Sequence, residues 1–170
     1  GEMLRPERYR EWVYLSSGLG TAYGPVAAER AGRPPTFTNV FVNPSAHRRF
    51  LETGVWPDGT VLVLEIRESV HEPSISAAGR FQGAIVAVEA AVKDAVRFED
   101  PWAYFNFGMA GDRAAALPAT AACYSCHKAN AAVEQTFVQF YPTLMDAARR
   151  YGTVRPDYGF KLAATSGGAN

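Results

Sequence analysis

The sequence predicts an α+β fold in which an antiparallel β-sheet is flanked by helices. Residues 60–67, Thr-Val-Leu-Val-Leu-Glu-Ile-Arg, follow a Pro-Asp-Gly turn and are rich in β-branched residues, which is typical of a strand. Residues 37–43 and 102–107 are further strand candidates because of their β-branched and aromatic content. From Pro118 onward the pattern becomes helical. Strands that come first and helices that come last are typical of the α+β class.

The N-terminal part of the chain predicts a helix followed by a loop. Residues 6–15 are predicted to form an amphipathic helix, because Tyr9, Trp12 and Val13 have the spacing of one helix face. Residues 16–35 contain four glycines and three prolines and are predicted to form a long loop.

Three further elements are predicted in chain order. A short helix is predicted over residues 43–53, where an Asn-Pro pair begins it and Gly54 ends it. Residues 80–93 are compatible with a helix, but the alternation of their valines and alanines with other residues favours a long strand. Residues 131–150 are predicted to be helical with a break at Pro142.

Composition limits the classes of function. With 170 residues we expect one domain over residues 1–162, and a flexible tail at 163–170 that has no anchoring side chain. Lys plus Arg and Asp plus Glu each number 17, so nothing indicates a nucleic-acid partner. No apolar run approaches the roughly 20 residues that a membrane span needs.

The most informative motif is Cys-Tyr-Ser-Cys-His at residues 123–127. The spacing C-x-x-C-H is the attachment signal of a c-type haem. Two thiols three residues apart on a helical turn can each add to one vinyl group of the haem, and the adjacent imidazole then ligates the iron. The motif therefore predicts Cys123 and Cys126 as covalent attachment points and His127 as the axial ligand, on a C-terminal haem-attachment helix.

Three other interpretations of the two cysteines remain open at this point. A structural disulfide would use both thiols but does not require an adjacent histidine. A thioredoxin-type redox pair is expected inside a βαβ pattern, which the neighbouring sequence does not show. A zinc site needs about four Cys or His ligands, and beyond the motif the chain offers only His47 and His71.

The order of the elements separates this chain from the small electron-transfer cytochromes c. Those proteins usually carry the motif near the N-terminus and a methionine ligand well downstream. Here the motif lies at three-quarters of the chain and a predicted sheet comes before it.

Fragments around this motif resemble the cytochrome P-460 family, which includes the β-sheet cytochromes c′, called cytochrome c′-beta. Together they span roughly residues 5–150 in the family's order. The fragments are Tyr-Arg-Glu-Trp-Val (9–13), Val-Phe-Val-Asn-Pro (40–44), Asp-Gly-Thr-Val (58–61), Glu-Ala-Ala-Val-Lys-Asp (89–94), Trp-Ala-Tyr-Phe (102–105), Leu-Pro (117–118), the haem motif with Lys128, and Phe-Tyr-Pro (140–142).

The resemblance implies a homodimer with one haem c per chain and five-coordinate iron on His127. Members called P-460 oxidise hydroxylamine and carry an extra bond from a lysine to the haem, whereas c′-beta members lack this bond and bind NO or CO. The fragment at residues 58–61 places Leu64 at the position of that lysine. Residue 122 is an alanine, so a carboxylate found there in some hydroxylamine-oxidising members is also missing. The resemblance is therefore to a c′-beta-like member.

An aliphatic Leu64 would make the second face of the iron apolar. Such a face offers neither a ligand nor a hydrogen-bond donor, and it favours NO and CO over O₂. Thr60, Leu62, Leu64 and Ile66 share one strand face. Phe37 and Phe41 share a face of the preceding strand, and we expect them to help close the pocket.

Other candidate residues carry weaker expectations. His47 is expected to be solvated, and His71 is expected at the end of a strand, away from the iron. Met109 or Met145 would supply a sixth ligand if the protein were an electron carrier. Glu89 and Arg80 are expected on the surface or at a dimer interface rather than at the pocket rim.

These observations predict a periplasmic haem protein that binds small gases. The alternatives are a hydroxylamine or nitrogen-oxide oxidoreductase and a six-coordinate electron-transfer cytochrome, so enzymatic activity stays open. A redox partner protein is possible in each case. Covalent haem attachment takes place outside the bacterial cytoplasm, so we expect an exported chain whose signal peptide has been removed.

Overall fold

A computed structural model describes residues 1–21, 32–72 and 76–158 of the chain. Seven strands and three α-helices occur in these residues. In chain order they are β1 (Glu2–Leu4), β2 (Val13–Leu19), β3 (Thr36–Val42), α1 (Pro44–Thr53), β4 (Thr60–His71), β5 (Arg80–Lys93), β6 (Trp102–Asn106), β7 (Arg113–Ala115), α2 (Ala122–Asn130) and α3 (Pro142–Arg150). The predicted α+β class is confirmed. The predicted tail at 163–170 lies outside the described residues.

The main sheet is an antiparallel meander in the order β2-β3-β4-β5-β6. β1 and β7 form a separate two-stranded sheet. β4 is the central strand, and its register aligns Leu64 with Val40 on one side and with Glu89 on the other. Residues that face each other in neighbouring strands point to the same side of a sheet, so these three side chains share one face.

The segment between β3 and β4 folds as the sequence predicts. α1 covers Pro44–Thr53 with the proline in its first turn, where a missing N–H costs nothing. Gly54 ends the helix with a φ of 71°, and its N–H donates to the Phe50 carbonyl at 2.7 Å. A left-handed residue at this position favours glycine.

The prediction for the N-terminal segment is wrong. In place of a helix over residues 6–15, the chain forms one short 3₁₀ turn at Tyr9–Glu11 and then enters β2. Residues 16–19, predicted to be loop, belong to the same strand. Tyr14 pairs with Phe41 of β3, and this cross-strand contact outweighs the weak helical periodicity.

The C-terminal segment is helical in two pieces that are shorter than predicted. α2 ends at Asn130, and α3 begins at Pro142. Between them lie a turn closed by a bridge from Val133 to Thr136 and a 3₁₀ turn at Val138–Phe140. The expected break at Pro142 is the start of α3, because proline is accommodated in the first turn of a helix.

Two hydrophobic cores occupy the two faces of the main sheet. One face packs against the helices, and its core includes Phe50, Trp56 and Leu144. The opposite face carries a second core that includes Val63, Val88 and Phe105. The Cys-Tyr-Ser-Cys-His motif lies on the helical side of the sheet, so that side is where a functional site is expected.

Candidate functional site

The motif residues lie on α2, which begins directly before the first cysteine. Cys123 and Cys126 are three residues apart and therefore share a helix face. Both thiols are free and half-buried. Burial raises the pKa of the Cys123 thiol, and the negative charge of Glu89 raises it further. The disulfide interpretation is not what the structure shows.

A cavity of about 650 Å³ lies between the sheet and α2. Cys123, Cys126 and His127 line it on the helical side. On the sheet side its lining comes from all five strands of the main sheet. The centre of this wall is aliphatic, with Val40 from β3, Leu62, Leu64 and Ile66 from β4 and Ala91 from β5, whereas Glu89 from β5, Ser16 and Ser17 from β2 and Thr38 from β3 add polar groups. Phe137, Phe140 and Tyr141 close part of the remaining wall. The cavity thus faces the motif with a mainly apolar sheet surface.

His127 is held in one orientation by its surroundings. Its Nδ1 donates a hydrogen bond to the backbone carbonyl of Gln135 at 2.7 Å. The rings of Tyr104 and Phe137 pack against the imidazole with centroids 4.7 and 4.5 Å away. Burial lowers the pKa of His127, although the bond to Gln135 opposes this effect. The imidazole is therefore neutral at pH 7 and has Nε2 free as a metal ligand.

Leu64 lines the same cavity as His127. The described lysines are engaged elsewhere. Lys93 Nζ donates to the Trp56 carbonyl at 2.7 Å and pairs with Glu134, and Lys128 pairs with Asp100 at 2.6 Å. Neither of these two lysines lines the cavity.

The expectation for Phe37 and Phe41 is wrong. The register pairs Val40 with Leu64, so the odd-numbered residues of β3 point to the opposite face of the sheet. Phe41 packs there against the rings of Tyr9 and Tyr14, at 5.6 and 5.8 Å. Strand parity shows which side chains share a face, but not which face meets the cavity.

Glu89 is a cavity residue that the sequence placed on the surface. It lies opposite Leu64 in the β4–β5 register, and its carboxylate accepts a hydrogen bond from Asn106 Nδ2 at 3.2 Å. The sequence carries no signal for this position, because the position depends on the register between β4 and β5. Among the described residues that line the cavity, Glu89 is the one with a charged side chain.

The other candidates lie away from the cavity. Met109 is 68% exposed, and Met145 packs on the helical core without lining the cavity. His71 is exposed at the end of β4, as expected. His47 is half-buried on α1, not solvated, and burial lowers its pKa. Arg80 donates to the Ser69 hydroxyl at 2.9 Å, on the exposed end of the β4–β5 hairpin.

The comparison with protein families decides the class. The family model described as Cytochrome P460 matches residues 6–138, which is most of the chain. The chain belongs to the cytochrome P460 family. It is therefore a haem-binding cytochrome with the α+β fold of that family. Comparison with curated proteins gives no match.

The residues of this cytochrome P460 chain fit a haem. A volume of about 650 Å³ lies within the range of roughly 300–1,000 Å³ that is usual for ligand and cofactor pockets. Its aliphatic and aromatic lining suits the faces of a porphyrin, two thiols border it, and a neutral imidazole offers Nε2. Cys123, Cys126 and His127 are the residues that would hold the group.

Two further observations concern metal clusters and membrane spans in the described part of this P460 chain. No three His, Cys, Asp or Glu side chains come together there as a metal-binding cluster. None of the helices in residues 1–21, 32–72 and 76–158 has the length and apolar character needed to span a bilayer.

Proposed function

We propose that this protein is a c-type cytochrome whose haem is bound covalently by Cys123 and Cys126 and ligated by His127, and which binds NO or CO on the open face of the iron. The observation that carries the proposal is the aliphatic sheet wall around Leu64, in the same cavity as His127. When bound, the haem supplies the iron to which the gas coordinates.

The cavity wall favours NO and CO over O₂ for two physical reasons. Iron-bound O₂ carries partial negative charge and is stabilised by a hydrogen-bond donor, which Leu64, Val40 and Ala91 cannot provide. The Glu89 carboxylate adds negative charge to this wall, which further disfavours a partly anionic ligand. NO and CO need a donor much less. The proposed selectivity therefore rests on the lack of a donor at Leu64, Val40 and Ala91 in the centre of this wall, and not on a cavity without hydroxyl groups, since Ser16, Ser17 and Thr38 also line it.

A six-coordinate electron carrier is less well supported. Among the described residues that line the cavity, His127 is the only histidine and no methionine is present. Met109 and Met145, the expected sixth ligands, lie elsewhere.

Titration of the reduced protein with CO, NO and O₂ tests the proposal. We expect saturable binding of CO and NO, with spectral changes at the haem, and no stable O₂ complex. Tight O₂ binding, or no response to CO, would contradict it.

Mass spectrometry under denaturing conditions tests the covalent attachment. The haem should stay with the wild-type chain and should be lost from the double variant Cys123→Ala/Cys126→Ala.

Glu89 supports a second candidate function, an oxidoreductase acting on hydroxylamine or another nitrogen oxide. Such chemistry needs a group that moves protons near the substrate. Glu89 is a carboxylate on the cavity wall next to Leu64. Under this candidate, hydroxylamine plus an electron acceptor gives steady turnover that falls at least about a hundredfold in Glu89→Gln. Under the gas-binding proposal there is no turnover. Glu99→Gln, on the exposed loop before β6, is the matched control.

Export to the periplasm, a homodimer and a redox partner protein are further parts of the proposal. They rest on the family resemblance and on the need for covalent haem attachment outside the cytoplasm. Sedimentation of the haem-loaded protein tests the dimer directly, and a monomer at micromolar concentration would contradict it.

A further inference from the structure

The turn that follows α2 holds the carbonyl group that orients His127. Val133 and Thr136 close this turn with a backbone hydrogen bond of 2.9 Å. Within the described residues, Glu134 is the one residue other than glycine with a positive φ, at 50°. That backbone conformation is costly for a side chain of this type, so the turn persists because its surroundings fix it.

The side chain of Gln135 is fixed at both ends of its amide. Its Nε2 donates to Asp100 Oδ1 at 2.6 Å, and its Oε1 accepts from the Tyr104 hydroxyl at 3.3 Å. Burial, followed by the charge of Asp100, raises the pKa of Tyr104, so the phenol keeps its proton and acts as a donor. The backbone carbonyl that binds His127 therefore belongs to a residue whose side chain is tied to β6 and to the loop before it.

Asp100 connects this turn to the attachment helix. Its Oδ2 pairs with Lys128 Nζ at 2.6 Å, and its Oδ1 also accepts from the backbone N–H of Trp102 at 3.2 Å. Burial raises the pKa of Asp100, but the hydrogen bonds from Lys128, Gln135 and Trp102 outweigh it and lower the pKa. The carboxylate is thus ionised and bonded at both oxygens.

These contacts form a closed ring around the histidine. His127 donates to the Gln135 carbonyl, the Gln135 amide donates to Asp100, and Asp100 pairs with Lys128, the residue covalently next to His127. Partners that hold a metal-bound histidine by its second nitrogen fix the ring orientation and tune the metal.

We propose that Asp100 is a positioning residue that fixes the imidazole plane of His127 by holding Gln135 and Lys128 together. This inference rests on the proposed iron ligation by His127. If Asp100 had a merely structural role, its removal would affect folding and leave the iron–histidine bond unchanged. Lys128 is 57% exposed, and exposed ion pairs contribute little to stability, so removal of the carboxylate should affect the iron–histidine bond far more than folding.

Resonance Raman spectroscopy of the reduced, haem-loaded protein tests this inference through the iron–histidine stretching band. In Asp100→Ala we expect the band to broaden and shift, together with a change of about tenfold in the CO dissociation constant. In Asp100→Asn the changes should be smaller, because an amide oxygen still accepts from Gln135. Asp146→Ala removes an exposed carboxylate paired with Arg149 on α3 and should match wild type.

A folded, haem-loaded Asp100→Ala protein with the wild-type band would overturn the inference. If Asp100→Ala does not accumulate, Gln135→Ala is used in its place. This variant keeps the backbone carbonyl that binds His127 but loses the side-chain hydrogen bonds to Asp100 and Tyr104, so the same shift of the band is expected. Failure of the proposed function looks different, because the wild-type protein itself would then lack an iron–histidine band.

Discussion

At the scale of single residues, Leu64 limits the chemistry of the site most strongly. It lies on the cavity wall beside Glu89 and Val40, and it has no atom that can ligate iron, form a bond to the haem edge or donate a proton. The resemblance described above places a lysine that bonds to the haem at this position in the members called P-460. The proposed selectivity for gases that need no hydrogen-bond donor rests on this one side chain and its neighbours.

Leu64→Gln should therefore raise the O₂ affinity of the reduced protein. A single neutral hydrogen bond contributes about 0.5–1.5 kcal/mol, so we expect an increase of up to about tenfold, with CO affinity changed much less. Stopped-flow measurement of the ligand association and dissociation rates gives both affinities. Val70→Gln, at an exposed position of the same strand, is the control. An unchanged ratio of O₂ to CO affinity would contradict the role given to Leu64.

At the scale of elements, β4 separates two kinds of surface. Leu64 and Ile66 face the cavity, whereas Glu65 points to the other side and is only 2% exposed. There its carboxylate accepts from Arg67 Nε at 2.6 Å, from Arg10 Nε at 2.8 Å and from the Tyr9 hydroxyl. One strand thus builds the apolar wall and joins the N-terminal turn to the sheet.

Glu65→Gln should destabilise the protein and remove part of its acid sensitivity. Burial raises the pKa of Glu65, but hydrogen bonds from Arg67, Tyr9 and Arg10 lower it to about 2 from 4.5. Because the folded pKa is the lower one, this stabilisation is present above pH 4.5 and is lost as the pH falls towards 2. Loss of one member of a buried ion pair costs about 3–5 kcal/mol.

Denaturant unfolding of the haem-loaded protein measures both effects. Wild type should lose free energy of unfolding between pH 4.5 and 2 more steeply than Glu65→Gln. Glu68→Gln, at an exposed position on the same strand, serves as the control. Parallel pH profiles for wild type and Glu65→Gln would show that the network does not act in this way.

The glycine after α1 gives a prediction about the helix end. Gly54 and Gly59 both have positive φ, 71° and 79°. A Cβ at Gly54 would lie 2.8 Å from Thr153 Oγ1 and 2.9 Å from Tyr151 Cβ, whereas a Cβ at Gly59 meets nothing within 4 Å. In both alanine variants the strained backbone lowers the free energy of unfolding by about 1 kcal/mol, and in Gly54→Ala the steric overlap lowers it further. Thermal unfolding should rank Gly54→Ala clearly below Gly59→Ala, and equal melting temperatures would contradict this account.

Local signals account for the elements that the sequence predicted well. α1 has a proline at its start and a glycine at its end, and β4 follows a Pro-Asp-Gly turn, so the neighbouring residues define these boundaries. β2 was not predicted, its first residues being assigned to a helix and the rest to a loop, because its structure depends on pairing with β3, a contact between distant residues. The turn between α2 and α3 was missed because side chains of Lys93, Trp56 and Asp100 hold it.

At the scale of the whole molecule, the motif predicted the ligand-bearing helix but not the far wall of the site. Cys123, Cys126 and His127 are neighbours in sequence and lie together on or beside the cavity. Leu64 was found because a family resemblance gave its position. Phe37, Phe41 and Glu89 were misplaced because only the sheet register decides which faces meet the cavity. The ring through Asp100 and Gln135 has no sequence signal.

The central claim is that one face of the haem iron is ligated by His127 and the other is open. The most direct test is the optical spectrum of the reduced protein, produced in cells that attach haem c, before and after addition of CO. The account predicts the broad bands of high-spin, five-coordinate iron, converted by CO to a sharp low-spin spectrum. Sharp low-spin bands before CO is added, unchanged afterwards, would show a sixth protein ligand and contradict the account.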